Sequence, residues 1–309
     1  MVKTHATQIR LMGTVIDIKV SAVNAKKIVR KTVDKLVYYE KMFSANREDS
    51  ELMAINLAAG EHPVVVSNEL FELIRIGKYH SCQKNSFLNI AIGPLVKSWK
   101  IGFSGAKVPL KTDIESLLAI TNPEKIKLND EKKSVYLEQK GMFIDLGALA
   151  KGYISDRIVD YYKRQQIESA ILNLGGNVIV YGEAPHKDGY FRVGIQNPRE
   201  PRSKCLAGVK AKNQSVVTSG IYERVLKVGD ETYHHIINPK TGYPVETDVA
   251  SLTIISHLSV DGEIWTTRLF GKNSQEIVDE VNQLPEIECI VIDKENQLYY
   301  SIGIQSNLI

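Results

Sequence analysis

The alternation of apolar and polar residues near the start of the chain predicts a half-buried β-strand. Residues 14–20 alternate and are rich in β-branched side chains, which suit a pleated surface with one buried face. Apolar positions follow helical spacing over residues 25–43 and again over residues 68–82, so both segments are predicted helices. The polar segment between them, residues 44–56, leads into a short helix for which Asp49-Ser50 suits the N-cap.

The second half of the chain mixes strand and helix patterns. Short helices are predicted over residues 112–120 and 274–283, and a longer one over residues 148–165. Residues 135–137 and 142–146 read as a hairpin, residues 169–180 as two strands around a Gly-Gly turn, and residues 190–270 as strand-rich. No regular βαβ alternation is present, which predicts an α+β fold with mixed, largely antiparallel sheets and flanking helices.

Composition narrows the class of protein. Among 309 residues, 39 are basic and 36 acidic, and no stretch gathers Lys and Arg into a strong patch, so no nucleic-acid partner is expected. No apolar run approaches the roughly 20 residues of a membrane span. Three distant cysteines argue against a disulfide framework or a cysteine-based zinc site. Neither a signal-peptide pattern nor a lipobox is seen near Met1, which predicts a cytoplasmic protein.

Two glycine-containing stretches could approach a ligand. Asp145 to Tyr153 runs from a predicted strand end into a helix start, where backbone N–H groups and the helix dipole favour an anion. Lys151 lies in the first turn, where a cation is disfavoured unless an anion such as phosphate is close; the alternative is a capping aspartate beside a solvated lysine. Gly175-Gly176 marks either close approach of a ligand or a tight turn.

Two further stretches carry groups suited to catalysis. After Thr218-Ser219-Gly220, the pair His234-His235 precedes a Pro-x-x-Gly turn and is either a base at the rim of a cleft or a structural pair. If residues 263–267 are helical, Glu263 and Thr267 lie on one face. A carboxylate and a hydroxyl there could ligate a hard cation such as Mg²⁺.

In collinear order, these motifs resemble the ApbE family of flavin transferases, the FAD:protein FMN transferases. The resemblance runs from Leu11-Met12-Gly13-Thr14 to Thr267-Arg268-Leu269-Phe270, most of the chain. The motifs between them are Phe43-Ser44, Asp49-Ser50-Glu51-Leu52 with Asn56, Ile92-Gly93-Pro94-Leu95-Val96 with Trp99, Asp145-Leu146-Gly147-Ala148, Lys151-Gly152-Tyr153, Asn173-Leu174-Gly175-Gly176-Asn177, Thr218-Ser219-Gly220 and His235-Ile236-Ile237-Asn238-Pro239 with Gly242.

The resemblance implies a Mg²⁺-dependent enzyme that cleaves the pyrophosphate of FAD, releases AMP and joins FMN through a phosphoester to a Thr or Ser of a target flavoprotein. It implies an ApbE-like, T-fold-like domain over residues 1–309, or two tightly packed subdomains, with the FAD cleft between two halves. Lys151 would neutralise the pyrophosphate and His235 would be the base. The Ala148 carbonyl, Glu263 and Thr267 would hold the metal. FAD would be bound by Met12, Asn46, Phe87, Leu88, Asn89, Asp145, Gly175, Gly176, Ser219, Gly220 and Ile237.

The chain departs from the family pattern at several positions. Glu263 stands where the family usually has Asp, and Asp261 is an alternative ligand, although its spacing to Thr267 does not suit one helix face. Asn46 occupies an aromatic position, and Asn89 and Asn238 replace Asp. These substitutions keep two alternatives open: a FAD-binding or storage protein without transfer, and a FAD pyrophosphatase that gives FMN and AMP.

Overall fold

The computed structural model describes residues 1–201 and 204–309. The helices are α1 (Ala25–Phe43), α2 (Glu51–Leu57), α3 (Asn68–Ser81), α4 (Gly93–Trp99), α5 (Lys111–Leu118), α6 (Ala150–Arg164), α7 (Ser259–Leu269) and α8 (Ser274–Val281). The strands are β1 (Lys3–Leu11), β2 (Thr14–Ala22), β3 (Val64–Val65), β4 (Ile126–Asn129), β5 (Ser134–Leu137), β6 (Ser169–Leu174), β7 (Asn177–Gly182), β8 (Phe191–Gln196), β9 (Cys205–Ala211), β10 (Ser215–Gly220), β11 (Val225–Val228), β12 (Glu231–His234), β13 (Val249–Ser256), β14 (Glu288–Asp293) and β15 (Leu298–Tyr300). Within these described residues, no helix combines the length and apolar character needed to cross a membrane.

An eight-stranded sheet organises the fold, in the order β1-β2-β6-β7-β10-β13-β14-β15. Every neighbouring pair in it is antiparallel. Helices α1 and α6 contribute to a large buried cluster with β2 and β6, and α8 packs with β13 and β14. On the other face of the sheet from α8, the β8–β9 hairpin packs against buried residues of β10, β13 and β14. The predicted α+β class with largely antiparallel sheets and flanking helices is confirmed.

Several predicted elements occur where the pattern placed them. Helix α1 has the predicted bounds, because Ile28, Val29 and Leu36 recur at helical spacing and are buried. Helix α2 begins after Ser50, whose hydroxyl accepts a hydrogen bond from the Met53 N–H at 2.9 Å. The two strands around Gly175-Gly176 are β6 and β7, which pair directly.

The predicted hairpin between residues 135–137 and 142–146 is wrong in its second strand. Strand β5 pairs with β3 and β4 instead. The Ile144 N–H donates to Asn56 Oδ1 at 2.7 Å, and the Ile144 carbonyl accepts from Asn56 Nδ2 at 3.0 Å. A side chain therefore takes the backbone hydrogen bonds that a neighbouring strand would take. The chain also continues beyond the last predicted helix with β14 and β15.

Two glycines bring α6, α7 and β10 into close contact. A Cβ at Gly152 of α6 would lie 2.5 Å from the Ser259 carbonyl oxygen, and one at Gly262 of α7 would lie 2.5 Å from Val217 Cγ2. Neither glycine has a positive φ, so close approach rather than backbone conformation requires them. This packing sets the N-terminal turn of α6 beside the middle of α7.

Candidate active site

Lys151 and Glu263 meet at the junction of α6 and α7. The Lys151 ammonium lies 3.1 Å from Glu263 Oε1, and the side chains are 27% and 5% exposed. A buried carboxylate requires a partner of opposite charge, which Lys151 supplies. Two residues that the sequence analysis gave separate roles, one toward phosphate and one toward metal, are thus in direct contact.

Asn177, the first residue of β7, fixes the Glu263 carboxylate from the other side. Its Nδ2 donates to Glu263 Oε1 at 2.9 Å, and its Oδ1 lies 3.0 Å from Ser155 Oγ and 2.8 Å from Ser259 Oγ, which donate to it. Because a carboxylate only accepts hydrogen bonds, the amide has one permitted orientation. We call Asn177, Ser155 and Ser259 the amide clamp. Asn177 ends the motif that begins at Asn173, but nothing in the sequence pattern indicates its role.

Asp156 caps helix α7 from the neighbouring helix α6. Its carboxyl oxygens accept from the Ser259 N–H at 2.7 Å and the Val260 N–H at 2.9 Å. Burial raises the pKa of Asp156 to about 7, against the opposing effect of the two N–H donors. Residue Leu258 at the N-cap of α7 offers no side-chain acceptor, so Asp156 replaces the local cap. It was not identified from the sequence.

The two adjacent histidines have different hydrogen-bond partners. His234 Nδ1 accepts from the Ile236 N–H at 3.3 Å while its Nε2 lies 3.0 Å from the Val245 carbonyl, so the backbone engages both nitrogens. His235 Nδ1 lies 3.3 Å from the Arg224 carbonyl. Since a carbonyl only accepts, Nδ1 carries the proton and Nε2 is left as the basic nitrogen.

Burial, followed by the charge of Arg224, lowers the pKa of His235 to about 4. The imidazole is therefore neutral near pH 7 and able to accept a proton. Lys151 also contributes to lowering this pKa, so the lysine at the α6–α7 junction acts electrostatically on the histidine. At Asp145, burial is the largest effect and raises the pKa, while the charges of Lys97 and Arg224 lower it. Arg224 had no role in the sequence analysis, and no local motif marks it.

Turns at one end of the large sheet bring together several predicted nucleotide-binding residues. Met12 lies in the β1–β2 turn, Gly175 and Gly176 in the β6–β7 turn, and Ser219 and Gly220 at the end of β10. Gly175 and Gly176 have φ values of +64° and +98°, and a Cβ at Gly175 would collide with Thr14. The strand directions in an antiparallel sheet place all these positions at the same end.

The segment that holds Ile237 is anchored to α4. Ile237 is buried in a cluster with Leu95, Trp99, Ile101 and Ile114. The Trp99 indole N–H donates to the Gly242 carbonyl at 2.8 Å. The Ile237 side chain is thus part of this small core, which fixes the chain directly after His235.

The remaining predicted FAD-binding residues lie on loops with local partners. Asn89 donates through Nδ2 to the Thr121 carbonyl at 2.8 Å and accepts the Ala91 N–H at 2.8 Å. With Leu88 it lines a cavity of about 290 Å³. Phe87 packs against Gly271, beyond the end of α7. Asn46 is exposed, and its N–H donates to Ser44 Oγ at 3.2 Å. Their roles toward FAD stay predictions.

The predicted metal ligands offer oxygen donors. Glu263 and Thr267 lie one turn apart on α7, and Ala148 precedes α6. Asp261 lies about half a turn from Glu263 and close enough to Asp156 to raise the pKa of that carboxyl. Among the described residues, no group of three or more His, Cys, Asp or Glu side chains could hold a metal. A carboxylate, a hydroxyl and a carbonyl suit Mg²⁺, which prefers few protein oxygens and keeps water ligands.

Comparison with known proteins identifies the same family over most of the chain. The sequence profile of the ApbE family matches residues 12–291. A protein of Klebsiella pneumoniae (strain 342) named FAD:protein FMN transferase is 40% identical over 291 residues, 94% of this chain and 90% of that protein. One of the same name from Treponema pallidum (strain Nichols) is 34% identical over 277 residues, covering 86% of this chain and 76% of that protein.

Solved structures have the same fold. The crystal structure of an ApbE protein from Thermotoga maritima superposes with a TM-score of 0.89 at 25% identity, covering 99% of both chains. The flavin transferase ApbE from Vibrio cholerae superposes with a TM-score of 0.85 at 22% identity, covering 99% of this chain and 100% of that one. The second likeness bears on the fold alone.

Proposed function

Because the chain belongs to the ApbE family and is an enzyme of flavin transfer, we propose that it is a Mg²⁺-dependent FAD:protein FMN transferase. In the proposed reaction a Thr or Ser hydroxyl of a flavoprotein attacks the phosphorus on the FMN side of the FAD pyrophosphate. A new O–P bond forms, the bridging P–O bond breaks, and AMP leaves with the bridging oxygen. The proposed site draws on residues from Met12 to Thr267, so we propose that residues 1–309 act as one domain.

His235 is the proposed base, and its geometry is the observation that carries the proposal. The Arg224 carbonyl holds the proton on Nδ1, which presents Nε2 to the proton of the incoming hydroxyl. The lowered pKa of His235 keeps the ring neutral near pH 7, so Nε2 has a free lone pair for that proton. His234 does not compete for this role, since both of its nitrogens are engaged by the backbone.

The oxygen donors on and beside α7 would hold Mg²⁺. Glu263, Thr267 and the Ala148 carbonyl are the proposed ligands, and Glu263 is fixed by the amide clamp. When bound, Mg²⁺ would neutralise charge on the phosphoryl oxygens and on the departing AMP. Lys151, one residue into α6, would contact the pyrophosphate, where the helix N-terminus also favours anions.

The turns at the end of the large sheet would enclose the nucleotide. Met12, Gly175-Gly176 and Ser219-Gly220 lie there together, and Asp145 lies near Arg224 and Lys97. Backbone at glycine turns can approach a ligand closely because no Cβ intervenes. We propose that FAD lies across this end of the sheet with its pyrophosphate toward Lys151.

The decisive test mixes the purified protein, FAD and Mg²⁺ with a flavoprotein domain from the same organism. The readouts are the intact mass of the acceptor and the AMP released. We expect an acceptor heavier by one FMN residue and equimolar AMP. AMP and free FMN without acceptor modification would instead indicate a pyrophosphatase. Tight FAD binding without AMP would indicate a storage protein, and either result contradicts the proposal.

A further inference from the structure

The Lys151–Glu263 ion pair occupies the point where the proposed metal and pyrophosphate would meet. Lys151 Nζ is 3.1 Å from Glu263 Oε1, the same oxygen that accepts from Asn177 Nδ2. Both contacts of this carboxylate therefore use Oε1. A divalent cation bound to Glu263 would lie within a few ångströms of the ammonium, and the two positive charges would repel each other strongly in a buried setting.

The two partners differ in their freedom to move. Glu263 is 5% exposed and accepts a hydrogen bond from Asn177 of β7, whose amide is in turn fixed by Ser155 of α6 and Ser259 of α7. Lys151 has a flexible four-carbon stem and is 27% exposed. Repulsion between a cation and the ammonium would accordingly be relieved by movement of Lys151 rather than of Glu263.

Helix α6 supplies a reason for Lys151 to move toward an anion. Lys151 is the second residue of the helix, whose first turn contains no acidic side chain. The positive end of the helix dipole disfavours an ammonium there. Glu263 balances this charge in the structure, and an anionic pyrophosphate at the same helix end would balance it equally well.

We propose that Lys151 is an exchangeable counter-ion: it competes with the divalent cation for Glu263, and transfers to a nucleotide pyrophosphate when the cation binds. The proposal rests on the proposed function for the identity of both ligands. Removing the Lys151 charge should therefore strengthen metal binding in the absence of nucleotide, although this charge belongs to the proposed nucleotide site. Lys151 then couples the metal and the nucleotide, and such coupling is reciprocal.

The test measures binding of Mn²⁺ alone by electron paramagnetic resonance, without nucleotide, with Mg²⁺ added as a competitor. In Lys151→Gln we expect Mn²⁺ affinity to increase about fivefold or more over the parent protein. Lys151→Arg keeps the charge and should remain close to the parent. Lys97→Gln is the matched control, because Lys97 lies near Asp145 and over the Phe143 ring, whereas the ion-pair partner of Glu263 is Lys151. It removes one charge and should change the affinity less than twofold.

Other outcomes overturn the inference. Unchanged or weaker Mn²⁺ binding in a folded Lys151→Gln protein, checked by circular dichroism, would show that Lys151 does not compete with the cation. An equal gain in Lys97→Gln would reduce the effect to net charge. Absence of Mn²⁺ binding in every protein would remove the site for which Lys151 is said to compete. Failure of the proposed function is seen separately: tighter Mn²⁺ binding in Lys151→Gln, with no FMN transfer by the parent protein, supports the competition for Glu263 and contradicts the proposed function alone.

Discussion

The α6–α7 junction and the segment that carries His235 hold their functional groups in different ways. At the junction, Glu263 and Asn177 are buried and joined by hydrogen bonds to three elements. The imidazole of His235 has one long hydrogen bond, to the carbonyl of Arg224, just before the largely exposed hairpin β11–β12. The junction is fixed before any ligand arrives, whereas His235 is partly buried beside an exposed hairpin.

This difference fits the two kinds of ligand in the proposed reaction. A metal and a pyrophosphate are small and unvarying, so a rigid arrangement of donors costs nothing in adaptability and lowers the reorganisation needed for reaction. The hydroxyl acceptor arrives on another protein, so its base must be reachable from outside. The anchoring of Ile237 and Gly242 to α4 limits how far the histidine can move.

The largest expected effect is that of removing the proposed base, His235. We expect His235→Ala to lower FMN transfer by about 10²- to 10⁴-fold, the usual contribution of a general base. FAD binding, followed by quenching of flavin fluorescence, should be largely retained because the ring is not part of the buried network. His234→Ala is the control and should lose far less transfer. Full activity in His235→Ala would exclude the histidine as the base.

At the junction, Glu263→Ala should weaken the Mg²⁺ dependence and lower transfer by about 10²-fold, since metal assistance contributes several kcal/mol. The measurement is transfer rate against Mg²⁺ concentration. Glu263→Asp keeps the carboxylate with one methylene less and should retain most of the activity at raised Mg²⁺. A Mg²⁺ titration unchanged in Glu263→Ala would place the metal elsewhere, with Asp261 as the next candidate.

The smallest expected effect concerns stability at Asp156. Its pKa of about 7 lies above the ordinary 3.8, so the folded protein binds this proton more tightly than the unfolded chain. That contribution is present below about pH 4 and lost as pH rises through 7. Asp156→Asn cannot titrate. From pH 5 to pH 8 the unfolding free energy of the parent should therefore fall by about 1 kcal/mol or more relative to that of Asp156→Asn.

Urea unfolding of both proteins at the two pH values measures this shift. Asp160→Asn, on the same helix in a partly exposed pair with Arg157, is the control and should show a smaller pH dependence. Parallel pH profiles for Asp156→Asn and the parent would mean that Asp156 stays ionised, held so by the two N–H groups that it caps.

The sequence predicted those features that depend on local pattern. The spacing of Ile28, Val29 and Leu36 is a property of helix α1 alone, so its bounds could be read directly. Residues 142–146 have the composition of a strand, but their hydrogen-bond partner is the side chain of Asn56, far away in the chain. No local pattern encodes that choice.

The site shows the same division. Lys151, His235 and Glu263 could be named from motifs, but the contact between Lys151 and Glu263 depends on how α6 packs on α7. The amide clamp consists of polar residues that become buried only in the tertiary structure. One signal was available: Ser155 follows Lys151 by four residues and therefore shares its helix face.

Gly152 and Gly262 give the protein a sensitivity that its chemistry alone would not suggest. A methyl group at either position would push α7 away from α6 or from β10, because the nearest atoms would lie 2.5 Å away. The displacement would carry Glu263 with the helix. In a genetic screen for inactive variants, these two positions should therefore score beside the base and the metal ligands, although a glycine side chain has nothing to contribute to a reaction.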